Sequence, residues 1–497
     1  MKRQASQFVF FLLLTLGVLP LAVRAADARP NVLVIVGDDM GYADIGIHGC
    51  QDIPTPNIDK LAAEGTRCTN GYVSGPYCSP TRAGLLTGRY QTRFGHEFNP
   101  GGEEPKPAQP AGKKKNAKAQ DNATAKADQE LGLPLTETTI ADRLKAAGYS
   151  TAWIGKWHLG AELPYIPQNR GFETSFGFLG GAHGYFPNAK PPLRRQNETI
   201  QEQEYLTDAF RREAVDFIEH QSSDKPFFMY LAFNAVHTPM NATDDRLEKL
   251  KGIKDEKRRT YAAMMLAMDE AIGKVLRALR EKHLEDNTLV FFIADNGGPT
   301  MPGTTTNASN NAPFRGSKRT TLEGGIHVPF LVKWPGHVPA AKLYDNPVIQ
   351  LDILPTVLAA AGVEAPADAK LDGVDLLPYL TDKNKEKPHS ALYWRFGDQM
   401  AIRQGDWKLV RYDPVVDGMK GTATDAKLYN LATDVGESND LIKSEPEKAK
   451  ALQAAWDEWN KSNVPPLWGA QHLMKKGKGK RSQASLERAA KRIATAE

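Results

Sequence analysis

The stretch Asn31–Asp39, NVLVIVGDD, decides the fold. Its apolar run is of strand length and does not alternate with polar residues, so it predicts a β-strand buried on both faces. Two carboxylates follow the run, and TLVFFIA at 288–294 leads in the same way into Asp295 and Asn296. Open α/β sheets bind ligands beyond the carboxyl ends of their strands, so these side chains are candidates for one site.

Other apolar runs extend the pattern along the chain. Strand-like runs alternate with amphipathic, helix-like segments such as NIDKLAAEG and TTIADRLKAAG. This alternation predicts an α/β fold with a large mixed, mainly parallel sheet sandwiched by helices. The further strand-like runs are STAWIG at 150–155, PFFMYLAF at 226–233 and VPFLVKW at 328–334.

The character of the sequence changes after about Lys387. Short strand-like pieces (SALYWRF, QMAIRQGDWKLVRY and AKLYNLATD) precede a helix-like segment from Pro446 to about Lys461. They predict a smaller C-terminal antiparallel sheet plus helix. The expected organisation is a catalytic domain at 27–386, interrupted by a mobile insertion at 101–130 that is poor in large apolar residues, and a C-terminal subdomain at 387–470.

The two ends of the chain bear on location and charge. Residues 1–26 have the basic start, apolar run and small residues of a signal peptide, with a signal-anchor helix as the alternative, so we expect an exported protein without stable membrane insertion. The net charge of +4 comes from these residues and a basic, disordered tail at 471–497, although the tail could also touch a polyanion. The body is acidic, which argues against a nucleic-acid partner.

The residue pairs at the strand ends have two readings. Asp38 with Asp39, or Asp295 with Asn296, could each be turn chemistry or a helix cap. Three carboxylates crowded together, however, need positive charge to offset their repulsion and desolvation. Both pairs after buried strands therefore favour a hard cation, with calcium as the best fit and magnesium second.

Basic side chains and histidines follow two other strands. Lys156 and His158 come after STAWIG and point the same way in an extended segment. His237 follows PFFMYLAF, and Lys318 lies in a glycine-containing loop. Alone, each histidine is more often structural and Lys318 would be a solvated charge.

Cys78 is the third cysteine of the chain, beside Cys50 and Cys68, so at least one cysteine is unpaired, chemically altered or bonded to another chain. It opens the segment CSPTRAGLLTGRY at 78–90. With VGDDMGY, GKWHLG, ADNGG, GSK and the HTP at His237, this segment resembles the type I sulfatases, the formylglycine-dependent branch of the alkaline-phosphatase-like superfamily. The resemblance covers most of the chain from Asn31 onward.

The resemblance implies a mechanism. A maturation enzyme would convert Cys78 to formylglycine, whose hydrate is the nucleophile; an aldehyde hydrate also offers a hard cation a better ligand than a thiolate does. Arg82 would stabilise the hydrate, Lys156 and Lys318 would bind sulfate, His237 with Lys318 would protonate the leaving oxygen, and His158 would remove the remaining hydroxyl proton. The calcium ligands would be Asp38, Asp39, residue 78, Asp295 and Asn296.

The resemblance leaves the other cysteines and the substrate open. Cys50 and Cys68 are free to pair with each other. The implied substrate is a sulfated carbohydrate, with aryl sulfates as artificial substrates, and FLGGAHGYFPN with His183 and Tyr185 is a candidate contact for the leaving group or an ordinary glycine-rich connection. Two alternatives remain: a phosphate or phosphonate ester hydrolase on the same scaffold, and a non-catalytic protein that binds sulfated glycans.

Overall fold

The computed structural model describes residues 29–100 and 131–469. The predicted signal peptide, the insertion at 101–130 and the basic tail lie outside the described residues. Within the described ranges, no helix combines the length and the apolar character needed to cross a membrane.

The main sheet of the described chain has ten strands in the order β11-β2-β10-β9-β1-β8-β4-β5-β6-β7. Its centre, β9-β1-β8-β4-β5, is parallel, whereas β10 and β6 pair with its two sides in antiparallel fashion and β7 pairs antiparallel with β6. The strands of all sheets are β1 Asn31–Gly37, β2 Thr66–Cys68, β3 Gly71–Tyr72, β4 Ser150–Lys156, β5 Thr174–Phe178, β6 Leu193–Arg195, β7 Glu198–Ile200, β8 Phe227–Ala232, β9 Thr288–Ala294, β10 Phe330–Lys333, β11 Lys342–Tyr344, β12 Val348–Ile349, β13 Leu392–Phe396, β14 Gln399–Gln404, β15 Trp407–Arg411 and β16 Lys427–Asn430.

Helices cover both faces of this sheet. Successive side chains of β1 enter different hydrophobic cores: Val32 and Val34 pack on one side, Leu33 and Ile35 on the other. The predicted α/β sandwich is therefore confirmed. The α-helices are Pro56–Ala63, Cys78–Thr87, Ile140–Ala146, Leu206–Glu219, Asp244–Lys249, Glu256–Glu281, Glu323–Ile326, Ile353–Ala360, Leu377–Leu380 and Pro446–Asn460.

The smaller C-terminal sheet is also as predicted. Strands β13 to β16 form a four-stranded antiparallel meander. Helix Pro446–Asn460 packs on it, and Leu452 of the helix joins Ile402 and Leu409 of the sheet in a separate small core. Burial of these apolar side chains holds the helix on the sheet.

A buried group of charges joins this sheet to the main domain. The ammonium of Lys408 lies 2.7 Å from Glu323 Oε1 and 2.9 Å from Glu437 Oε1. Glu437 Oε2 accepts a hydrogen bond from the backbone N–H of Glu323, and His327 Nδ1 lies 2.8 Å from Glu323 Oε2. We call Glu323, His327, Lys408 and Glu437 the junction cluster.

The pKa values of the two carboxyl groups in the junction cluster are shifted in opposite directions. Burial raises the pKa of Glu437 to about 7, against the opposing charge of Lys408. Burial also acts to raise the pKa of Glu323, but Lys408 and His327 hold that pKa below its usual range.

All three cysteines are free thiols in the structure. Cys68 is buried in the core, and Cys50 donates from Sγ to Asp52 Oδ1 at 3.2 Å. The disulfide that the sequence left open for Cys50 and Cys68 is not formed.

Candidate active site

The two acidic strand ends meet at one edge of the sheet. β1 and β9 are parallel neighbours with Gly37 opposite Ala294, so Asp38 and Asp39 lie beside Asp295. The backbone N–H of Asp39 donates to Asp295 Oδ1 at 3.3 Å. Asp39 has a φ of 58°, a left-handed conformation that aspartate tolerates better than most residues and that is enriched at functional sites.

Cys78 is the first residue of helix Cys78–Thr87 and faces this acidic edge. Its Sγ lies 3.6 Å from Asp38 Oδ1, within reach of a weak hydrogen bond. One turn later, Arg82 donates from Nε and Nη2 to Asp295 Oδ2 at 3.0 and 2.8 Å, and from Nη1 to the carbonyl of Lys156 at 3.2 Å. The i, i+4 spacing thus brings Cys78 and Arg82 to the same centre.

Two lysines complete the charge balance. Lys156, the last residue of β4, donates to Asp38 Oδ2 at 2.5 Å. Lys318 comes from the loop after β9 and contacts both carboxylate oxygens of Asp39 at 2.7 and 2.8 Å. We call six buried side chains the catalytic cluster: Asp38, Asp39, Asp295, Arg82, Lys156 and Lys318.

The two histidines flank the cluster. His237 Nε2 lies 3.5 Å from Asp39 Oδ2, while its Nδ1 lies 2.7 Å from the carbonyl of Thr238. His158 Nδ1 is buried and has no hydrogen-bond partner among the described residues. Burial lowers the pKa of His237 to about 3 and, together with the charge of Lys156, lowers that of His158 well below its usual value. Both rings are therefore neutral near pH 7 in the substrate-free protein.

The pKa values of Asp38 and Asp39 are shifted in opposite directions in this buried cluster. Burial and the neighbouring Asp295 raise the pKa of Asp38 to about 7, although Lys156 opposes the change. Asp39 is equally buried, but Lys318 and His237 hold its pKa below the usual range. The thiol of Cys78 has a pKa raised to about 12 by burial, so at neutral pH it stays protonated and is a poor nucleophile.

These residues fit a hard cation. Asp38, Asp39, Cys78 and His237 each offer a ligand atom, and the four atoms lie within 4.8 Å of one another. Asn296 donates from Nδ2 to Asp39 Oδ1, which leaves its own Oδ1 buried without a hydrogen-bond partner. An orphaned amide oxygen beside crowded carboxylates is the donor set that calcium prefers.

A pocket of about 480 Å³ opens onto the cluster. The volume lies within the usual range for small-molecule sites. Its described lining is Tyr77, Cys78, Asn99, Pro100, His158, Gly181, Ala182, His237, Gly303, Thr304, Thr305, Lys318 and Arg319.

The C-terminal sheet holds the loop that carries Lys318. Gln399 Nε2 donates to the carbonyl of Arg319 at 2.9 Å, and Thr321 Oγ1 donates to the carbonyl of Arg411 at 3.0 Å. The loop then enters the junction cluster at Glu323. A catalytic-cluster lysine is thus positioned by contacts from a different sheet.

The structure brings most of the predicted site residues together. The ten that converge are Asp38, Asp39, Cys78, Arg82, Lys156, His158, His237, Asp295, Asn296 and Lys318. His183 is not among them: its ring nitrogens lie 2.7 and 2.6 Å from the carbonyls of Gly184 and Pro191, and it lines a different pocket. Tyr185 is buried, and its hydroxyl donates to the carbonyl of His237 at 2.8 Å, so it helps to hold the backbone of that histidine in place.

Sequence reasoning missed several residues that support the site. Asn307 Nδ2 donates to the carbonyls of Asp39 and Val236, which ties two strand ends together. Ser79 Oγ donates to the carbonyl of His158 at 2.6 Å. Asn307 lies in a polar run, TTTNASNN, that gave no signal, whereas Ser79 belongs to the cysteine motif and could have been singled out.

Comparison with known proteins agrees with this geometry. The sulfatase family profile matches residues 30–363, and the profile of the N-sulphoglucosamine sulphohydrolase C-terminal region matches residues 316–462. Human N-acetylgalactosamine-6-sulfatase is 35% identical over 405 residues, 78% of this chain and 72% of that protein. Bovine arylsulfatase A is 32% identical over 479 residues, 86% of this chain and 87% of that protein.

Solved structures give the same picture. The crystal structure of Ps i-CgsB superposes with a TM-score of 0.77 and 35% identity, covering 88% of this chain and 94% of that one. The same protein has been solved in complex with k-i-k-neocarrahexaose.

The fold and the site together define an enzyme of the alkaline-phosphatase-like superfamily. Within that superfamily the chain belongs to the sulfatase family, in the formylglycine-dependent type I branch, and is a sulfuric ester hydrolase.

Proposed function

We propose that this sulfatase hydrolyses a sulfate monoester on a sulfated carbohydrate, using a formylglycine at position 78 and a bound calcium ion. The observation that carries the proposal is the convergence of residue 78, three carboxylates and two lysines, with residue 78 and Lys318 lining one pocket. The names of the relatives support a carbohydrate: one is an N-acetylgalactosamine-6-sulfatase, and a similar structure holds a neocarrahexaose.

An unmodified thiol at position 78 would be a poor nucleophile and a poor ligand for a hard cation, and a formylglycine would remove both problems. Cys78 is buried, and its thiol remains protonated at neutral pH. It is also a soft ligand beside a site of hard oxygens. A hydrated aldehyde at this position would supply an oxygen nucleophile for attack on sulfur.

The ligands proposed for calcium are Asp38, Asp39, Asp295, Asn296 and residue 78. A bound calcium ion would polarise the sulfate ester and acidify a hydroxyl on residue 78. The raised pKa of Asp38 is in keeping with this, because a cation would offset the repulsion between Asp38 and Asp295.

The remaining residues bind charge and move protons. Lys156 and Lys318 bind the sulfate oxygens, where negative charge accumulates during attack. Arg82, fixed by Asp295, stabilises residue 78 electrostatically. His237 and Lys318 hold the proton that passes to the leaving alcohol oxygen.

His158 has the complementary role. It is neutral, its Nδ1 has no partner among the described residues, and it lines the pocket beside Cys78. It accepts the hydroxyl proton from residue 78 as sulfate leaves, which returns the aldehyde to its starting state.

The wider organisation is part of the proposal. Residues 1–26 act as a cleaved signal peptide that directs the enzyme out of the cytoplasm, where it acts without membrane insertion. Residues 27–386 form the catalytic domain, and 387–470 form a subdomain that positions the Lys318 loop. We keep His183 as a proposed substrate contact. To bind substrate, its ring would have to give up its present hydrogen bonds with the carbonyls of Gly184 and Pro191.

Mass spectrometry of the peptide that contains residue 78, paired with assays on regiodefined sulfated sugars, tests the proposal. We expect activity to rise in proportion to the fraction of thiol converted to aldehyde during co-expression with a maturation enzyme. Matched sulfate and phosphate esters of one alcohol provide the control for reaction class. Full activity with an unmodified thiol would overturn the formylglycine assignment, and a faster phosphate ester would overturn the assignment of sulfate as the preferred ester.

A further inference from the structure

The guanidinium of Arg319 is an unpaired charge at the active-site pocket. Arg319 is half-buried and lines the pocket with Cys78 and His237. Within residues 29–100 and 131–469 its side chain makes no ion pair and no hydrogen bond; its one recorded contact is with the ring of Tyr77, at 6.0 Å. The carboxylates of the nearby catalytic cluster already face other cations.

The backbone holds Arg319 in a defined orientation. Its N–H donates to the carbonyl of Pro76 at 2.7 Å, and its carbonyl accepts from Gln399 Nε2 at 2.9 Å. Its φ is 73°, in the left-handed region that costs an arginine free energy. The surrounding hydrogen bonds therefore maintain a conformation that the residue would not adopt alone.

This conformation places two consecutive cations on one pocket. Neighbouring side chains of an extended strand point in opposite directions. Here Lys318 and Arg319 both line the pocket, with Lys318 Nζ 5.4 Å and the Arg319 guanidinium carbon 6.0 Å from the ring of Tyr77. Lys318 contacts Asp39 and is already assigned to the reacting sulfate, so Arg319 is the cation left for a second anionic group.

The pocket has no opposing charge on its described surface. None of the described lining residues is an aspartate or a glutamate. A partly desolvated guanidinium is attracted to a carboxylate or sulfate, which it can bind through two parallel hydrogen bonds.

We propose that Arg319 forms a second anion subsite, and that the substrate carries a further anionic group, a second sulfate or a carboxylate, close to the sulfate ester that is cleaved. The inference rests on the proposed function, because it takes the substrate to be a sulfated carbohydrate bound with its reacting sulfate at Lys318. It narrows that substrate class to sugars with at least two negative charges near one another.

The test compares three disaccharides that share one scissile sulfate ester: a neutral monosulfated one, a disulfated one and a monosulfated one with a uronic acid. Each is assayed with the mature enzyme and with the Arg319→Gln and Arg319→Lys variants. We expect Arg319→Gln to lower kcat/KM about tenfold or more on a doubly charged substrate, mainly through KM, and about twofold or less on the neutral one. Arg319→Lys should retain part of the preference. Arg277→Gln, which changes an exposed arginine on helix Glu256–Glu281, is the matched control.

The outcomes separate the subsite from the function on which it rests. An enzyme without preference for a second charge, or an equal loss on all three disaccharides in Arg319→Gln, would overturn the subsite. A preference for the disulfated sugar alone identifies sulfate, and one for the uronate alone identifies a carboxylate. Calorimetric binding to Cys78→Ala, with and without Arg319→Gln, gives a readout without turnover. Charge-dependent binding without hydrolysis of any sulfated sugar by the mature enzyme would refute the proposed function and leave the subsite standing.

Discussion

The catalytic cluster and the junction cluster are both groups of buried acids and bases, yet only the first meets the pocket of about 480 Å³. Each contains a carboxyl whose pKa burial raises to about 7: Asp38 in the first and Glu437 in the second. Each also contains a neighbouring carboxyl, Asp39 or Glu323, that lysine holds ionised. A perturbed pKa alone would therefore not tell the active site from the joint between two sheets.

What separates the clusters is access. The catalytic cluster reaches a pocket through Lys318. In the junction cluster, Lys408 lies between two glutamates and is fully buried. Buried charges that a substrate can reach from a pocket can take part in a reaction. Similar buried charges that no substrate can reach instead hold parts of the fold together.

The largest effect should come from residue 78. Cys78→Ala removes the proposed nucleophile, and we expect turnover of a sulfate ester to fall on the order of 10³-fold or more, measured under saturating substrate. Cys50→Ala, which changes a free cysteine away from the pocket, should leave turnover near that of the wild type. Comparable activity in Cys78→Ala would break the assignment of chemistry to the catalytic cluster.

Removal of the proposed calcium ion should affect the catalytic cluster and spare the junction cluster. After chelation we expect activity to be lost and Tm to fall, with calcium restoring both better than magnesium does. A cation at about 100 times its Kd stabilises the fold by about 2.7 kcal/mol. Asp39→Asn should abolish the calcium dependence of Tm, whereas Lys408→Met should keep it. A calcium response unaltered by Asp39→Asn would contradict the proposed ligands.

Breaking the junction cluster should cost stability more than chemistry. Lys408→Met leaves Glu323 and Glu437 without their buried partner, so we expect the free energy of unfolding in urea to fall by about 3 to 5 kcal/mol. Lys450→Met, an exposed lysine on helix Pro446–Asn460, is the control and should change little. Well below the unfolding transition, kcat of Lys408→Met should fall less than tenfold, an effect of loop position amounting to less than about 1.4 kcal/mol. Loss of turnover with unchanged stability would contradict the structural role assigned to the junction cluster.

The smallest effect concerns pH. The pKa of Glu437 in the folded protein, about 7, lies above the ordinary glutamate value of 4.5, so the folded state retains a proton that the unfolded state has released. Stability should therefore fall as pH rises from about 4.5 towards 7. Glu437→Gln removes this titration and should flatten the pH dependence of the unfolding free energy by about 1 to 3 kcal/mol over that window. An unchanged slope would mean that Glu437 titrates normally.

Much of the fold was predictable because the central strands are uniformly apolar. The boundaries of β1, β4 and β9 follow from runs such as NVLVIV and TLVFFIA. The antiparallel direction of β10 and the short outer strands β2, β6 and β7 were not predictable. Strand direction depends on distant pairing, and strands of three residues have no usable periodicity.

The site was predictable where its residues immediately follow strands or belong to the cysteine motif. Asp38, Asp295 and Lys156 needed only the rule that parallel strands end at one edge. Asn307 and Arg319 could not be found in this way, because their roles depend on loop conformations fixed by partners elsewhere, such as Gln399 for Arg319. His183 shows the same limit of sequence reasoning. Its motif suggested a ligand contact, but both nitrogens of its ring face backbone carbonyls.

Under the proposed conversion of Cys78 to formylglycine, the burial of helix Cys78–Thr87 would make maturation and folding compete in time. A chain whose helix packed first would offer the modifying enzyme a residue 78 that is only 1% exposed, and would stay inactive however stable it is. The yield of active enzyme is then a ratio of two rates, not an equilibrium property. Slower folding of the nascent chain would raise the specific activity of the product without altering a single atom of the finished site.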